Sequence, residues 1–551
     1  MRVSPEWAFA GLLLLGAVIV FLQTSGMSFY ADEWDFVVAR PGLSAHTLLT
    51  PHGPHLSLFP ILIFKLLLRI FGGGSYIPFR LLAAFDIAII GLAVGIACRD
   101  RWGRWWGLAP VLLFVTLGPA AQSLLWPFQV GYSLAVAFGL FSLIALDRGG
   151  RWADATACAC LIVSLGSGSQ GIGFVVGAAL LVVLGGNWLR RAWVILLPAL
   201  LYLVWYATYG HQHGETQLSL WSTSLVYAVQ SLSASSQAMV GLSGLSSQTG
   251  TLDLTLGVPI AMAVLAGVAA AAWRGWRPRP IFWGAAVTLV VIWFAASLSN
   301  FGAFARPAAS TRYLVTNAAI LFVCLCAAVP KPRLLRGGTA IALIVLAVVS
   351  ATNADQFGPQ RTIFVAGAQI EQAELGALDL MRGIVSPSYS PGVVDPSLAN
   401  IQAASFFSAQ DSFGLRTDSV AQILAQPEST RQNVDGILAP NELALTPTAD
   451  AGPSGATRVT AFGHPHRRGR CLIVGAGPLR IAVNSGSIAI TAPPQLAATV
   501  LARRFSVEPV YSVGSIQAGS SAQLRITADR APEQPWRLSV AGAGTRVCPS
   551  Q

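Results

Sequence analysis

Long apolar segments alternate with short polar ones through roughly the first two thirds of the chain. About 20 apolar residues are needed for a helix to cross the hydrocarbon core of a bilayer, and several runs are somewhat shorter, so their boundaries are approximate. The pattern predicts a polytopic α-helical membrane protein with about 11 transmembrane helices. The apolar runs are residues 7–22, 78–97, 106–120, 128–146, 153–166, 171–185, 192–209, 255–273, 281–299, 311–329 and 337–352.

A further apolar run, residues 56–71, is short, contains Pro60 and places Lys65 and Arg69 on one helical face. Counting it as a span would reverse the side of every later loop. If it lies on the surface as an interfacial or re-entrant helix, five loops on one side hold 13 of the 20 Lys and Arg residues before position 354. Loops 121–127, 167–170 and 210–254, on the other side, hold none. Because positive charge favours the cytoplasmic side, this arrangement predicts a cytoplasmic N-terminus.

The composition changes abruptly after Ser350, which predicts a second part of the protein outside the membrane. Residues 354–440 contain helical stretches broken by Pro and Gly and are expected to form a helical connector. Residues 441–551 contain short alternating segments separated by turn residues, typical of a β-sandwich-like domain. We therefore expect a transmembrane domain at 1–353, with an outer loop and interfacial helices at 23–77. An extracytoplasmic α+β part follows.

Composition and charge restrict the class of protein further. The chain is 54% hydrophobic and only 11% charged, with a mean hydropathy of +0.60, whereas soluble proteins carry about 25% charged residues. The net charge of +11 comes mainly from residues 1–353, which hold 20 basic and 10 acidic side chains, against 15 and 14 in the remainder. Because the excess positive charge lies in the membrane part, it is expected to set the orientation of that part in the membrane. No nucleic-acid partner is expected.

The cysteines indicate one candidate disulfide and no metal site. Five of the seven lie in apolar runs, where cysteine acts as a small core residue. Cys471 and Cys548 lie in the C-terminal part and are expected to pair if that part is extracytoplasmic. No spacing of Cys and His typical of zinc occurs.

Three carboxylates follow the first apolar run within four positions, in the stretch Tyr30-Ala31-Asp32-Glu33-Trp34-Asp35-Phe36. They form either a solvated loop next to the membrane or an active-site acid–base group. A carboxylate can remove the proton from an attacking hydroxyl. Asp32, Glu33 and Asp35 are therefore the candidate catalytic residues, and Asp32 is the candidate general base.

Other polar residues that the membrane part does not easily explain fall on the same predicted side. Guanidinium groups are suited to phosphate, and Trp can stack on a sugar ring. The alternatives are headgroup contact by Arg80 and Arg312, interfacial anchoring by Trp126, and ordinary loop histidines. The candidate phosphate- or substrate-binding residues are His52, His55, Lys65, Arg80, Trp126, Gln129, Gln170, Arg306 and Arg312.

Two motif classes are absent, and so are most of the buried charges that ion transport requires. The sequence contains no G-x-x-x-x-G-K-[ST] and no G-x-S-x-G, which argues against a nucleotide-driven pump and a serine hydrolase. Asp86 is the clearest charge within the apolar runs, whereas ion-coupled transporters usually keep several near the midplane of the bilayer.

The order of these features resembles the GT-C glycosyltransferases, which are integral membrane enzymes. Asp32-Glu33 is similar to the Asp-Glu pair in the first outer loop of protein O-mannosyltransferases and of the aminoarabinose transferases that act on lipid A. The surface helix at 56–71 and the soluble part after the last span match that layout. The resemblance covers roughly residues 1–353. It rests on the acidic pair and the order of segments.

This resemblance implies a sugar transfer with inversion from a polyprenyl-phosphate donor to a glycan or glycolipid acceptor at the outer face of the inner membrane. Asp32 would be the base, Glu33 or Asp35 would help to position the acceptor, and outer-face arginines would bind the donor phosphate. No cofactor is expected to be required. Three nearby carboxylates could bind a divalent cation, but nothing else in the sequence supports one. The alternatives are a transporter or lipid flippase, and a non-catalytic envelope protein that binds glycan.

Overall fold

The computed structural model describes residues 4–186, 188–213, 217–243, 245–246, 250–301, 305–332, 336–447, 457–463, 466–509 and 511–549. The chain forms two compact units. The first comprises Met1–Met27, Gly42–Ile70 and Ser75–Val365. The second comprises Ser28–Pro41, Phe71–Gly74 and Ala366–Gln551. The acidic stretch at 30–36 therefore belongs to the same unit as the C-terminal part, which composition alone did not indicate.

The first unit is helical. Its helices are α1 (Pro5–Gln23), α2 (Ala45–Leu49), α3 (Leu58–Phe71), α4 (Ile77–Trp106), α5 (Leu108–Val115), α6 (Ala121–Leu125), α7 (Val130–Arg148), α8 (Arg151–Ser167), α9 (Gln170–Leu184), α10 (Trp188–Arg191), α11 (Trp193–Thr208), α12 (Ser224–Met239), α13 (Gly257–Trp273), α14 (Pro280–Leu298), α15 (Leu314–Ala328), α16 (Arg336–Asp355) and the first part of α17 (Phe357–Leu380). The short strand β1 (Leu245–Ser246) pairs antiparallel with β2 (Thr251–Leu252).

Each of the eleven apolar runs overlaps one of these helices, and the predicted class of polytopic α-helical membrane protein is confirmed. Within the described residues, six helical segments are long and apolar enough to cross a membrane, or seven if the bent pair of α5 and α6 forms one span. The three shorter apolar helices are α9, α11 and α13. The predicted number of about 11 is thus larger than the number of helices that reach full spanning length.

Two helices at the boundary of the membrane part need separate description. α3 has 14 residues, which is less than the ~20 needed to cross a bilayer alone. One of its faces is buried through Ile61, Phe64, Lys65 and Leu68. α16 is apolar, whereas α17 carries several charged residues over its length. We therefore treat α16 as the spanning segment and α17 as lying outside it.

Close helix packing in the first unit depends on small residues. A Cβ atom at Gly177 of α9 would lie 2.4 Å from the carbonyl oxygen of Gly284 in α14. A Cβ atom at Gly95 of α4 would lie 2.3 Å from the ring of Phe9 in α1. Such approach of backbones is typical of helices that associate in membranes, where dispersion contacts replace the hydrophobic effect.

The second unit contains the later part of α17, three further helices and two antiparallel sheets. The order of strands is β10-β9-β12-β7-β4 in the five-stranded sheet and β3-β11-β8-β13-β6-β5 in the six-stranded sheet. The helices are α18 (Ala403–Phe413), α19 (Val420–Ala425) and α20 (Glu428–Glu442), and the strands are β3 (Leu443–Pro447), β4 (Val459–Ala461), β5 (His466–Arg468), β6 (Cys471–Ile473), β7 (Leu479–Val483), β8 (Gly486–Thr491), β9 (Ala498–Arg503), β10 (Tyr511–Ile516), β11 (Ser521–Ile526), β12 (Trp536–Ala541) and β13 (Arg546–Pro549).

The strands bury alternate residues, as expected for sheets with one face against a core. This agrees with the strand-rich C-terminal domain predicted from the sequence. Cys471 and Cys548 form a disulfide bond between β6 and β13. Arg504 is buried and donates to both Glu442 and Asp529 at 2.8 Å, so a buried ion network connects the end of α20 with the strands.

Candidate active site

The acidic stretch forms a tight turn in the second unit. The N–H of Glu33 donates to the carbonyl of Tyr30 at 3.2 Å, and that of Trp34 donates to Ala31 at 3.0 Å. Ala31 has a φ of +49°, a left-handed conformation that costs about 1–2 kcal/mol for a residue with a Cβ atom. A strained non-glycine residue persists only where neighbouring groups hold it in place.

The buried side chain of Glu33 stabilises the turn. Its Oε2 accepts the backbone N–H of Tyr30 at 3.0 Å. The carboxylate therefore stabilises the residues that precede Asp32. This geometry fits a positioning task for Glu33.

Glu371 also stabilises the turn through hydrogen bonds, although it lies 340 residues away from Ala31 in the sequence. Its Oε2 accepts the N–H of Ala31 at 2.8 Å and the indole Nε1–H of Trp34 at 2.9 Å. Its Oε1 accepts the hydroxyl of Ser397 at 2.8 Å. Burial raises the pKa of Glu371 to about 7, although the three donors favour the charged form.

The result of these contacts is that Asp32 is presented outward. Asp32 is exposed, whereas Glu33 and Trp34 on its C-terminal side are buried. The turn thus fixes the backbone and leaves the carboxylate of Asp32 exposed. Of the three predicted catalytic residues, Asp32 is the most exposed.

Asp35 begins a short π-helix, Asp35–Ala39, which buries Phe36, Val37 and Val38. Such turns are rare and often occur at functional sites. Arg40 follows directly, and its charge interacts favourably with that of Asp35. Asp35 is half-buried, so the structure places it beside a cation within the same segment.

A further acid, Glu374, belongs to the same unit as the turn. Glu374 is buried and accepts the side-chain amide of Asn433 at 2.8 Å. Burial raises the pKa of Glu374 to about 8, and the nearby carboxyls of Asp395 and Glu371 add to the increase. Burial also raises the pKa of Tyr30 to about 12, with smaller effects from Glu371, Asp395 and Asp32. Burial thus raises the pKa of Glu371, Glu374 and Tyr30 around the turn.

In the first unit, the structure brings together predicted residues that are far apart in the sequence. The loop at 51–55 closes through two backbone hydrogen bonds between His52 and His55, at 3.0 and 3.1 Å. The ring of His52 meets Phe128 edge-on, with 5.1 Å between the ring centroids. His55 Nε2 lies 3.5 Å from the hydroxyl of Tyr132.

The same region contains two arginines and two more tyrosines. The hydroxyl of Tyr227 donates to the carbonyl of Arg306 at 3.3 Å, and the side chains of Tyr227 and Tyr313 are close enough to affect each other's pKa. Arg312 lies within electrostatic reach of both His55 and Tyr313. We call the set formed by His55, Tyr132, Tyr227, Arg306, Arg312 and Tyr313 the arginine–tyrosine cluster.

The cluster carries positive charge that is not neutralised locally. Among the described residues, neither Arg306 nor Arg312 forms an ion pair, and Nε of Arg312 is buried without a hydrogen-bond partner. Burial lowers the pKa of His55 to about 4, with contributions from His52 and Arg312, so this imidazole is neutral at pH 7. Its buried Nδ1 has no partner within the described part of the chain. Such an arrangement is suited to an anion that accepts from all three groups.

The other predicted binding residues have different surroundings. Arg80 donates to the carbonyl of Phe21 at 2.6 Å and to the hydroxyl of Thr24, so it caps the C-terminal end of α1, where carbonyl groups lack helical partners. Lys65 lies on the buried face of α3. Gln129 and Gln170 are buried, and each has an Oε1 atom without a partner among the described residues.

Trp126 packs between Phe128 and Phe364, with centroid distances of 5.0 and 6.0 Å. This aromatic packing within the first unit explains its burial. Within the described residues, no group of three or more His, Cys, Asp or Glu side chains is arranged to hold a metal ion.

Sequence reasoning missed Glu371, Glu374 and the three tyrosines. Both glutamates lie within residues 354–440, for which the sequence predicts only a helical connector. Their signal was the placement of Glu371 and Glu374 three residues apart, on one helical face among apolar neighbours. A carboxylate on the apolar side of a helix is rarely buried unless it has partners. The tyrosines had no comparable signal.

No protein-family model and no curated protein sequence matches the chain. Among solved structures, it is similar to ArnT from Cupriavidus metallidurans bound to undecaprenyl phosphate, with 14% identity and a TM-score of 0.45 over 70% of this chain and 82% of that chain. The apo form of the same protein gives 12% identity and a TM-score of 0.43 over the same shares.

Proposed function

We propose that the protein is a membrane glycosyltransferase that moves a sugar from a polyprenyl-phosphate donor to a hydroxyl of an envelope glycan or glycolipid. The observation that carries the proposal is the acidic turn. It holds Asp32 outward by means of a strained Ala31 and two buried glutamates. Such a rigid presentation of one carboxylate is expected of a catalytic base and is not required of a solvated loop.

In the proposed reaction, the carboxylate of Asp32 accepts the proton of the acceptor hydroxyl. The oxygen then attacks the anomeric carbon of the donor sugar from the side opposite the phosphate. The bond between that carbon and the phosphate oxygen breaks, and the polyprenyl phosphate leaves with the bonding electrons. Configuration at the anomeric carbon is inverted. Glu33 acts as a positioning residue of the turn.

The arginine–tyrosine cluster supports the second part of the proposal. Two guanidinium groups and a neutral imidazole provide donors to a phosphate, and neither guanidinium forms an ion pair among the described residues. We assign the binding of the donor phosphate to Arg306 and Arg312, assisted by His55. Arg80 is a weaker candidate because its guanidinium is already engaged by the end of α1.

The test of the base uses purified protein in proteoliposomes with undecaprenyl-phosphate mannose, glucose or arabinose, each radiolabelled in the sugar. An envelope glycolipid extract serves as the acceptor. Asp32→Asn is expected to lower label transfer at least 10³-fold, within the range by which general bases contribute. The matched control is Asp411→Asn, because Asp411 is an exposed acid of the same unit on α18. Transfer that persists in Asp32→Asn refutes the assignment of the base.

The test of the phosphate site measures binding of undecaprenyl phosphate to the same protein without sugar. Arg312→Gln is expected to weaken binding about tenfold or more, since a charge-assisted hydrogen bond contributes about 1.5–3 kcal/mol. Arg151→Gln is the control, because Arg151 is exposed at the start of α8. Equal affinities of the two variants would show that the lipid phosphate binds elsewhere.

A further inference from the structure

Arginines line the solvent face of the five-stranded sheet. In β12, Trp536 and Leu538 are buried, and Arg537 between them is exposed. In β7, Arg480 is exposed between buried neighbours in the same way. Arg503 ends β9 with a partly exposed side chain. These three arginines come from three adjacent strands of one sheet.

The strand register places the three side chains next to one another. Arg537 is directly opposite Arg503 across the β12–β9 pair. Arg480 is opposite Ser539, two residues from Arg537, across the β7–β12 pair. Directly opposite side chains on an antiparallel sheet are about 5 Å apart at Cβ, and diagonal ones about 7–8 Å. In accord with this proximity, Arg537 and Arg480 add to the effect of burial in lowering the pKa of Arg503.

This arrangement is unfavourable for the fold itself. Like charges directly opposite on a sheet destabilise it, and neither Arg480 nor Arg537 forms an ion pair among the described residues. Of the three arginines, Arg503 lies near Glu428 and Asp435 of α20, and these acids partly compensate its charge. The surrounding domain adds to the excess: residues 441–551 contain 11 arginines and five acidic residues.

An exposed aromatic ring extends the same face. The N–H of Phe462 donates to the carbonyl of Arg480 at 3.0 Å, which continues the β4–β7 register in which Thr460 is opposite Ala482. Phe462 therefore points to the same side as Arg480, and half of its surface is exposed. The hydroxyls of Thr460 and Ser539 lie on that side too. A flat ring for the apolar face of a sugar, hydroxyls and guanidinium groups form a set of complementary groups for an acidic sugar.

We propose that this arginine face, defined by Phe462, Arg480, Arg503 and Arg537, binds an anionic polysaccharide. The positive charges are spread over three strands, about 10 Å at the usual strand spacing. That spread fits negative groups that recur along an extended polymer better than a single phosphate head group. The proposal is independent of the glycosyl transfer, because it concerns none of the residues assigned to that reaction.

The test uses the full-length protein in nanodiscs of zwitterionic phosphatidylcholine, so that the lipid supplies no net charge. Two anionic probes are offered, polygalacturonate and poly(glycerol phosphate). Fully methyl-esterified polygalacturonate is the uncharged control for polygalacturonate. Binding of polygalacturonate is expected, with at least tenfold weaker binding of the ester. The affinity is also expected to fall with added salt. If polygalacturonate does not bind, or if poly(glycerol phosphate) binds more tightly, the proposal is overturned.

The variant Arg480→Gln/Arg537→Gln is expected to weaken binding at least tenfold. Its unfolding midpoint is expected to stay equal or rise, because the repulsion among the arginines is relieved. Arg525→Gln is the control, since Arg525 is an exposed arginine on β11 of the other sheet. Equal weakening by the control would show a general charge effect and overturn the site.

Two further measurements separate an acidic glycan from other partners. Phe462→Ala keeps every arginine and is expected to weaken polygalacturonate binding several-fold, and unchanged affinity contradicts the role of the ring. Vesicles of phosphatidylglycerol test the membrane surface as the partner. If they bind through Arg480 and Arg537 more tightly than both polymers, the polysaccharide assignment is wrong.

Discussion

Glu371 accepts the backbone N–H of Ala31 at 2.8 Å, and Ala31 is the one non-glycine residue of the described chain with a positive φ. The buried carboxylate of Glu371 and the strained backbone of Ala31 act together. The hydrogen bond compensates the cost of the left-handed backbone, and that backbone turns Asp32 outward. A contact between residues so far apart in sequence thus determines the geometry of the proposed base.

Glu371→Ala is expected to lower transfer activity about 10²-fold and to destabilise the second unit. The substitution leaves the half-buried N–H of Ala31 and the buried indole N–H of Trp34 without an acceptor, at about 1–3 kcal/mol for the fully buried donor. A displacement of the base by about 1 Å accounts for the loss of activity. The measurement is kcat together with the thermal unfolding midpoint.

Glu371→Gln is the matched control. Its amide oxygen can accept from both Ala31 and Trp34, and its NH₂ can donate to Ser397, so the turn is expected to persist with most of the activity. A Gln variant as inactive as the Ala variant would mean that the charge of Glu371 matters more than its hydrogen bonds.

Ala31→Gly and Ala31→Val are expected to have opposite effects on stability. Glycine adopts a positive φ without a steric penalty, so Ala31→Gly is expected to leave the unfolding free energy unchanged or raise it by up to about 1 kcal/mol. Valine is β-branched and should lower it by more than 1 kcal/mol. Urea unfolding followed by tryptophan fluorescence tests both. A more stable valine variant would contradict the left-handed conformation.

The fold was largely predictable because hydropathy is a local signal. Each of the eleven apolar runs overlaps a helix, and the change near residue 350 correctly indicated a strand-rich second part. The full count of spans was less secure, since α9, α11 and α13 are shorter than a crossing helix. The length of an apolar run in the sequence does not show at which residue the helix ends.

The site was only partly predictable. Asp32 stood out as a carboxylate beside the first span, and His55, Arg306 and Arg312 were singled out from loops that the structure brings together. Arg80 had the same local appearance, yet its side chain caps α1, because a guanidinium near a helix end is attracted by unpaired carbonyls. Glu371 was missed because its partners are defined by tertiary packing alone.

Gly367 and Gly358 give a matched pair on α17. A Cβ atom at Gly367 would lie 2.5 Å from the ring of Tyr30, whereas one at Gly358 meets nothing within 4 Å. Gly367→Ala is therefore expected to displace Tyr30, disturb the acidic turn and lower activity. Gly358→Ala should leave activity unchanged and raise stability by up to about 1 kcal/mol through helix propensity. Parallel transfer assays and unfolding curves compare them. Equal behaviour would show that Tyr30 does not pack on α17.

Glu374 is expected to make the second unit less stable at alkaline pH. Its pKa is raised to about 8 in the folded protein, above its value in the unfolded chain. Folding therefore favours the protonated form, and this contribution is fully present below the unfolded pKa and lost as the pH rises through 8. Since the pKa rises from 4.5 to about 8 and one pKa unit corresponds to about 1.4 kcal/mol, the loss is on the order of 5 kcal/mol. Glu374→Gln keeps an oxygen for Asn433 and should flatten the dependence between pH 5 and 9. An unchanged slope in that variant would place the titration elsewhere.

The disulfide between Cys471 and Cys548 is expected to stabilise the strand domain chiefly through the unfolded chain. It links β6 and β13, which are already hydrogen-bonded neighbours, so few native contacts depend on it. The crosslink spans a sequence separation of 77 residues, for which loop-closure entropy gives about 4 kcal/mol. Cys471→Ala/Cys548→Ala should therefore increase hydrogen exchange throughout the strand domain and leave α7 and α15 unaffected. A reductant should reproduce this change in the unsubstituted protein and add nothing in the variant. Increased exchange confined to β6 and β13 would instead show that the bond acts locally on the native sheet.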